Sequence, residues 1–301
     1  MKKIFLSLLL LCAIAQNSNS QLLYRISSEL LEEPSYIIGT YHLAPASFAD
    51  SIPGAMAALD AVEQVCGEVL VSEMDKRENR KRLLDAMKLP GEKRLSDVLS
   101  ESEMQLLNAY MKQTIGMDLT NPLLRKELGR MSPAALVTQL QLLHYMKMTR
   151  GFNPMKLIDY YFQKEAIKKK KTVIALESVD YQIDVLYSGT TIERGKEQLI
   201  CLIENCDYYM LQMKELADAY FAQDIEALNE ITEERLGNMC DSTQEEDEAL
   251  IYGRNAAWVV KIPTIMADKP TLFVVGAAHL PGERGVLELL RKNGYTVEAV
   301  K

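Results

Sequence analysis

Two of the three histidines in this 301-residue chain share one four-residue setting, Gly39-Thr40-Tyr41-His42 and Gly276-Ala277-Ala278-His279. Each unit follows a short β-branched and aromatic run, Tyr36-Ile37-Ile38 in the first and Thr271 to Val275 in the second, so each histidine is expected just past the end of a strand. Gly39 and Gly276 would let the backbone leave the strand and come close to a substrate or ion. Two further strand candidates end in acids: Glu68-Val69-Leu70-Val71-Ser72-Glu73 and Thr172-Val173-Ile174-Ala175-Leu176-Glu177. Two imidazoles with one or two carboxylates are a common ligand set for a catalytic divalent metal that keeps one position open to water. A carboxylate not used as a ligand can take a proton from that water, and hydrolysis is the reaction class this chemistry suits.

Other residues have plainer readings beside the functional ones. His144, among Leu142, Leu143, Tyr145 and Met146, reads as packing on a helix. Arg254-Asn255 precedes Trp258 in a helix-patterned stretch, where an arginine makes a surface ion pair or holds a carboxylate or oxyanion. Asp159, Tyr160 and Tyr161 read as a packed helix face. The basic run Lys168 to Lys171 suits a solvated helix C-terminus that complements the dipole. Pro281-Gly282 marks the start of the last helix, with Gly282 expected to open it and its first amides free to face an anion.

For the two histidines and two glutamates to meet, the strand ends must converge. Leu22 to Ile26 and Ser35 to Gly39 flank a turn and read as a hairpin, whereas the later strands are separated by long helical stretches. Four helical patterns fill residues 75–170, the last two over Pro133 to Met148 and Pro154 to Ile167, and form a large helical insertion without a low-complexity linker. The expected fold is therefore α/β, a mixed and mainly parallel central sheet flanked by helices. Ligands bind beyond the carboxyl ends of the strands in such sheets.

Met1-Lys2-Lys3, the leucine-rich run to Leu11 and Ala13-Ile14-Ala15 have the three parts of a cleaved secretory signal, which puts a boundary at residues 1–15 and one domain over 16–301. Lipidation at Cys12 is disfavoured because Leu11 precedes it. No later stretch reaches the roughly 20 apolar residues of a spanning helix, so the chain is expected to be exported, periplasmic or extracellular, and not an integral membrane protein. Without Lys2 and Lys3 the chain has 32 basic against 42 acidic residues, a net charge of −10, which disfavours nucleic acid as a partner. Cys66, Cys201, Cys206 and Cys240 remain, and Cys201 can pair with Cys206 or Cys240 in an oxidising compartment.

Taken together, Tyr36 to Leu43, the strand ending at Glu73, Leu176-Glu177-Ser178 with Gln182, Arg254-Asn255, and the tail from Val275 through Gly285-Val286 to Gly294-Tyr295 resemble the TraB/PrgY/GumN family over nearly the whole mature chain. That family is similar to the Tiki metalloproteases, whose paired Gly-x-x-His motifs serve metal-dependent peptide-bond cleavage, and more distantly to erythromycin-esterase-like and ChaN-like folds. The resemblance implies His42 and His279 as core site residues, Glu73 and Glu177 as their acidic partners, and Arg254 with Asn255 as supporting groups.

The leading expectation is a metal-dependent hydrolase acting on a peptide or protein substrate. His42, His279 and one glutamate hold manganese, cobalt or zinc (Mn, Co or Zn), the other glutamate is the base, and Arg254 steadies the developing oxyanion. Two alternatives stand beside it, a binding protein that sequesters a peptide signal without cutting it, and an esterase on the same scaffold.

Overall fold

The computed structural model describes residues 21–301, so the expected secretory signal over residues 1–15 and Cys12 lie outside the described residues. Six strands build the sheet: β1 (Leu23–Ser27), β2 (Ser35–Thr40), β3 (Gln64–Gly67), β4 (Thr172–Ala175), β5 (Thr271–Gly276) and β6 (Thr296–Ala299). Their order is β4-β3-β5-β2-β1-β6. β4, β3, β5 and β2 run parallel, while β1 is antiparallel to both β2 and β6. The sheet is thus mixed and mainly parallel, as its sequence pattern suggests, with the early hairpin toward one edge.

Helices connect the parallel strands because a parallel crossover needs one. α1 (Ala55–Ala61) joins β2 to β3. Between β3 and β4 come α2 (Val71–Met74), α3 (Arg77–Ala86), α4 (Glu101–Ile115), α5 (Pro122–Leu128), α6 (Pro133–Met148) and α7 (Ile158–Lys168). Between β4 and β5 lie α8 (Val179–Ile183), α9 (Ile192–Glu204), α10 (Cys206–Phe221), α11 (Ile225–Glu233), α12 (Gln244–Asp247) and α13 (Gly253–Asp268), and α14 (Val286–Lys292) joins β5 to β6. Sequence signals account for several ends: Ser100 and Glu103 form a reciprocal cap on α4, and Ser132 caps α6 directly before Pro133.

β5 is buried along its whole length, since helices cover both faces of the sheet. One apolar core joins the sheet to α1, α7, α10, α11, α13 and α14. A second core gathers Leu107 and Met111 of α4, Leu136 and Leu140 of α6, and Leu199 and Leu202 of α9. The helical region over 75–170 is therefore shared between two cores: α7 returns to the sheet with Phe162 and Ala166, and α9, from a later stretch, completes the outer cluster. Cys201 and Cys240 form a disulfide, and Cys66 and Cys206 are free. Among the described residues, no helix is long and apolar enough to cross a membrane.

Two elements differ from their sequence pattern. The strand read over Glu68 to Glu73 is instead Gln64–Gly67, followed by the short α2. Gly67 is where it stops, because the Gln163 side chain of α7 fills the space beside it, donates to Val69 O (2.8 Å) and accepts from Val71 N (3.1 Å). Gly282 does not open the last helix. It lies in a turn with φ +83°, and α14 begins after Gly285.

Candidate active site

Register places the four parallel strand ends at one level: Thr40 pairs with Gly276, and Gly67 with both Val274 and Ala175. Two residues past Thr40 is His42, one past Gly67 is Glu68, two past Ala175 is Glu177, and three past Gly276 is His279. The acid that directly follows β3 is thus Glu68. Glu73 lies in α2, with its side chain 40% exposed and ion-paired to Lys76 at 2.8 Å. Its displacement follows from the early stop of β3, because five further residues carry it over a helical turn and away from the strand ends.

Arg254 binds the cluster together from α13, and every one of its five N–H groups has a partner. Nε and Nη2 donate to Glu177 Oε1 and Oε2 (2.9 and 3.0 Å), Nη2 also donates to Glu68 Oε2 (2.6 Å), and Nη1 donates to Leu250 O and His279 Nε2 (3.0 and 3.1 Å). Its guanidinium lies over the Trp258 ring, 4.8 Å from the centroid. Trp258 Nε1 in turn donates to Glu177 Oε1 at 2.7 Å. A buried charge this completely paired is a fixed part of the site, not a surface ion pair. Its bonds are also all in use, so Arg254 lends its charge to the site and has no N–H left for an oxyanion. Glu177 is the anchor of that arginine.

Asn255, the next residue, fixes His279. Asn255 Nδ2 donates to Arg284 O (2.9 Å), which turns Oδ1 toward His279 Nδ1 (2.7 Å). The amide oxygen only accepts, so the His279 proton is on Nδ1, and its Nε2 lone pair accepts from Arg254. Burial lowers the His279 pKa to about 3, and the Arg254 charge acts in the same direction. His279 is a neutral ring, packed at a tilt of 46° against Trp258 with 4.4 Å between centroids.

Glu68 faces the other way as well. Its Oε2 accepts from Arg254 and Gln182, while Oε1 accepts from Gly276 N at 2.7 Å. Burial pushes this carboxyl up, but the charges of His42 and Arg254 and the Gly276 amide act against burial, and the carboxyl lies below its ordinary range. His42 is the open member, with 73% of its side chain exposed, and its Nδ1 lies 3.0 Å from Asp159 Oδ1. The Asp159 carboxylate raises the His42 pKa to about 9, and Glu68 adds to the effect.

These groups surround a cradle above Gly276. A Cβ at Gly276 would sit 3.4 Å from Glu68 Oε1, 3.4 Å from His279 Cδ2 and 3.9 Å from His42 Nε2. Neither Gly39 nor Gly276 has a positive φ, so the motif glycines serve close approach and not a turn; at Gly39 a Cβ would meet Leu280 Cδ1 at 2.9 Å. Glu68 Oε1, and His42 Nε2 once the imidazolium has given up a proton, border the cradle with lone pairs of the right chemistry for a divalent metal. His279 Nε2 and both Glu177 oxygens are committed to Arg254 and Trp258, and among the described residues no group of three or more His, Cys, Asp or Glu could hold a metal ion. Of the His42–His279–glutamate set expected from sequence, His42 Nε2 faces the cradle uncommitted, and beside it lies Glu68 Oε1.

Sequence reasoning missed Glu68, Asp159 and Thr40 as members of the site. Glu68 had a signal, since it follows Gly67 at a strand end as His42 and His279 follow theirs. Asp159 had only its place in the first turn of α7. His144 accords with packing: it is buried, 3.0 Å from Tyr110 Oη and edge-on to that ring.

A model of the TraB/PrgY/gumN family matches residues 22–299. A metalloprotease TIKI homolog from Nematostella vectensis is 22% identical over 312 residues, which cover 89% of this chain and 65% of that protein. The chain thus spans less than two thirds of the length of this relative. No solved structure gives a significant match.

Proposed function

This chain belongs to the TraB/PrgY/gumN family, and from that premise we propose that it is a metal-dependent hydrolase that cuts peptide bonds at the cradle above Gly276. The observation that carries the reading is the approach of Glu68 Oε1, the His279 ring and His42 Nε2 to one point at the carboxyl ends of parallel strands. The name of the TIKI relative, a metalloprotease, supports the reaction class.

His42 and Glu68 are the residues that would hold a divalent transition metal, manganese, cobalt or zinc. When bound, such an ion supplies an acidic water and polarises a carbonyl. Where Oε1 of Glu68 does not serve as the ligand, it is placed to take the proton of an attacking water, with Gly276 N–H holding the carboxylate in orientation. Arg254, itself anchored by Glu177, keeps Glu68 ionised and immobile, and it contributes positive charge beneath the cradle where negative charge develops on the substrate. His279, neutral and locked by Asn255, walls the cradle and excludes water from the arginine.

The substrate we propose is a peptide or protein segment. A cavity of about 670 Å³ begins at Leu43, the residue after His42, and is walled by Tyr145, Met148, Phe152, Met213 and Phe221. It offers room for an apolar side chain close to the cut bond. Export to the periplasm or the cell exterior belongs to the same proposal, supported by the Cys201–Cys240 disulfide.

The test is to supply the purified chain with manganese, cobalt or zinc, measure bound metal, and follow a peptide library by mass spectrometry. Cleavage that falls about 10²–10⁴-fold in Glu68→Gln is the expected result. Peptides retained intact would replace the proposal with sequestration, and turnover confined to an ester panel would replace it with esterase chemistry.

A further inference from the structure

His42 sits on a loop and is largely open to solvent, so packing does not set the orientation of its ring. Its orientation comes from α7. Asp159 Oδ1 lies 3.0 Å from His42 Nδ1 and accepts from Thr40 Oγ1 at 2.6 Å. Thr40 is the last residue of β2, two before His42, and its hydroxyl is also 3.2 Å from Val275 O on β5. A hydroxyl has one proton, and the shorter contact assigns it to the carboxylate. Asp159 is thereby tied to the strand that carries the histidine. Its other oxygen, Oδ2, is closed off from solvent and has no hydrogen-bond partner.

A carboxylate has no proton to donate, so the proton shared with His42 is on Nδ1. Which imidazole nitrogen stays free is set by the bond the other one makes. We propose that Asp159 is a positioning residue for His42, holding the neutral ring in its Nδ1–H tautomer so that the Nε2 lone pair faces the cradle above Gly276. The geometry has the form of a carboxylate–histidine pair behind a working nitrogen, in which the outer carboxylate orients the ring and strengthens it as a ligand or base. The inference rests on His42 being a site residue, as proposed above, and holds whether Nε2 meets a metal or a substrate proton.

Three histidines make the test direct. Imidazole nitrogen resonances of the full chain, with His42 assigned through a His42→Gln variant, are recorded on the alkaline side of the His42 titration. The expected result is His42 protonated on Nδ1 in the parent chain and mostly on Nε2 in Asp159→Ala, the tautomer that an unconstrained imidazole prefers. Cobalt affinity should fall about 10- to 100-fold in the same variant, and kcat should fall with KM nearly unchanged. Asp159→Leu keeps most of the side-chain volume without an acceptor and serves where the alanine variant does not fold. A parent chain with His42 protonated on Nε2, or an Asp159 variant with an unaltered tautomer, overturns the inference. The nitrogen spectrum needs neither metal nor substrate, so a chain that hydrolyses nothing would remove the proposed function and leave this result standing on its own.

Discussion

Arg254, Glu177 and His279 form a closed set in which each polar atom is committed, while Glu68 Oε1 and His42 Nε2 are the atoms turned to the cradle. The two glutamates at hand should therefore behave very differently. Glu68→Gln should abolish most turnover, whereas Glu73→Gln, which removes an exposed i,i+3 pair with Lys76, should change kcat/KM by less than about twofold and stability by under about 0.5 kcal/mol. Parallel kinetics on both variants, with urea unfolding beside them, decide it; equal losses would return Glu73 to the site. His279 makes a second prediction at this scale. Its folded pKa is about 3, and on unfolding it regains the ordinary value of 6.5. Above pH 6.5 both states are neutral and its contribution is constant. As pH falls from 6.5 toward 3 the unfolded chain takes up the proton and the fold does not, so stability is lost progressively. Between pH 7 and pH 4.5 this amounts to about 2 to 3 kcal/mol. The stability gap between the parent chain and His279→Gln should narrow by that amount over the same interval in urea titrations, and a constant gap would mean that His279 takes up its proton in the fold as readily as in the unfolded chain.

The elements show why part of this site was legible in the sequence and part was not. β2, β4 and β5 carry their β-branched runs in register with their real boundaries, so His42, Glu177 and His279 could be placed at strand ends by pattern alone. β3 is four residues long and buried throughout, and the run Val69-Leu70-Val71 after it has the stronger strand pattern. What stops the strand at Gly67 is the Gln163 side chain, more than ninety positions away, and local periodicity carries no trace of it. Asp159 was hidden in the same way, since only tertiary packing brings the first turn of α7 to His42. A second device of the elements is the π turn Glu248–Tyr252 between α12 and α13, which sets the pitch at which Arg254 enters the core. π turns recur at functional sites because they re-aim the residues that follow. Gly253 closes this one, and a Cβ there would lie 2.7 Å from Glu248 O. Gly253→Ala should force the turn to relax and cost about 1–3 kcal/mol. The sole tryptophan, Trp258, packs on Arg254 and reports the shift: altered fluorescence together with a lower urea midpoint is expected, and an unchanged spectrum would show that the turn does not position the arginine.

At the scale of the whole molecule, the sheet core and the outer helical core meet beside the candidate site. Tyr145 of α6 donates from Oη to Leu43 O at 3.3 Å, and its ring packs edge-on against Tyr41 and Phe152. The apolar cavity beginning at Leu43 is bounded on one side by the end of α6 and its following loop and on the other by Met213, Ala217 and Phe221 of α10. Helices of both cores thus shape the space that adjoins His42, which gives the large helical region a role in substrate choice under the proposed function. Arg150 and Lys156 line the cavity, while Lys214 there is paired with Asp218 at 2.5 Å, so on a chain whose net charge is −8 its mouth keeps an excess of positive charge. Peptides with a large apolar residue and an acidic neighbour should be cut best. Ala217→Phe fills part of the cavity without touching Glu68, His42 or Asp159. For peptides with a bulky apolar residue kcat/KM should fall about tenfold or more, since one or two displaced methylene contacts are worth about 1–3 kcal/mol. Peptides with alanine or glycine at that position should be cut at nearly the parental rate. Matched kinetics on the two peptide sets measure the ratio directly. A uniform loss across both would place the substrate elsewhere, because only a side chain seated in the cavity can sense its volume.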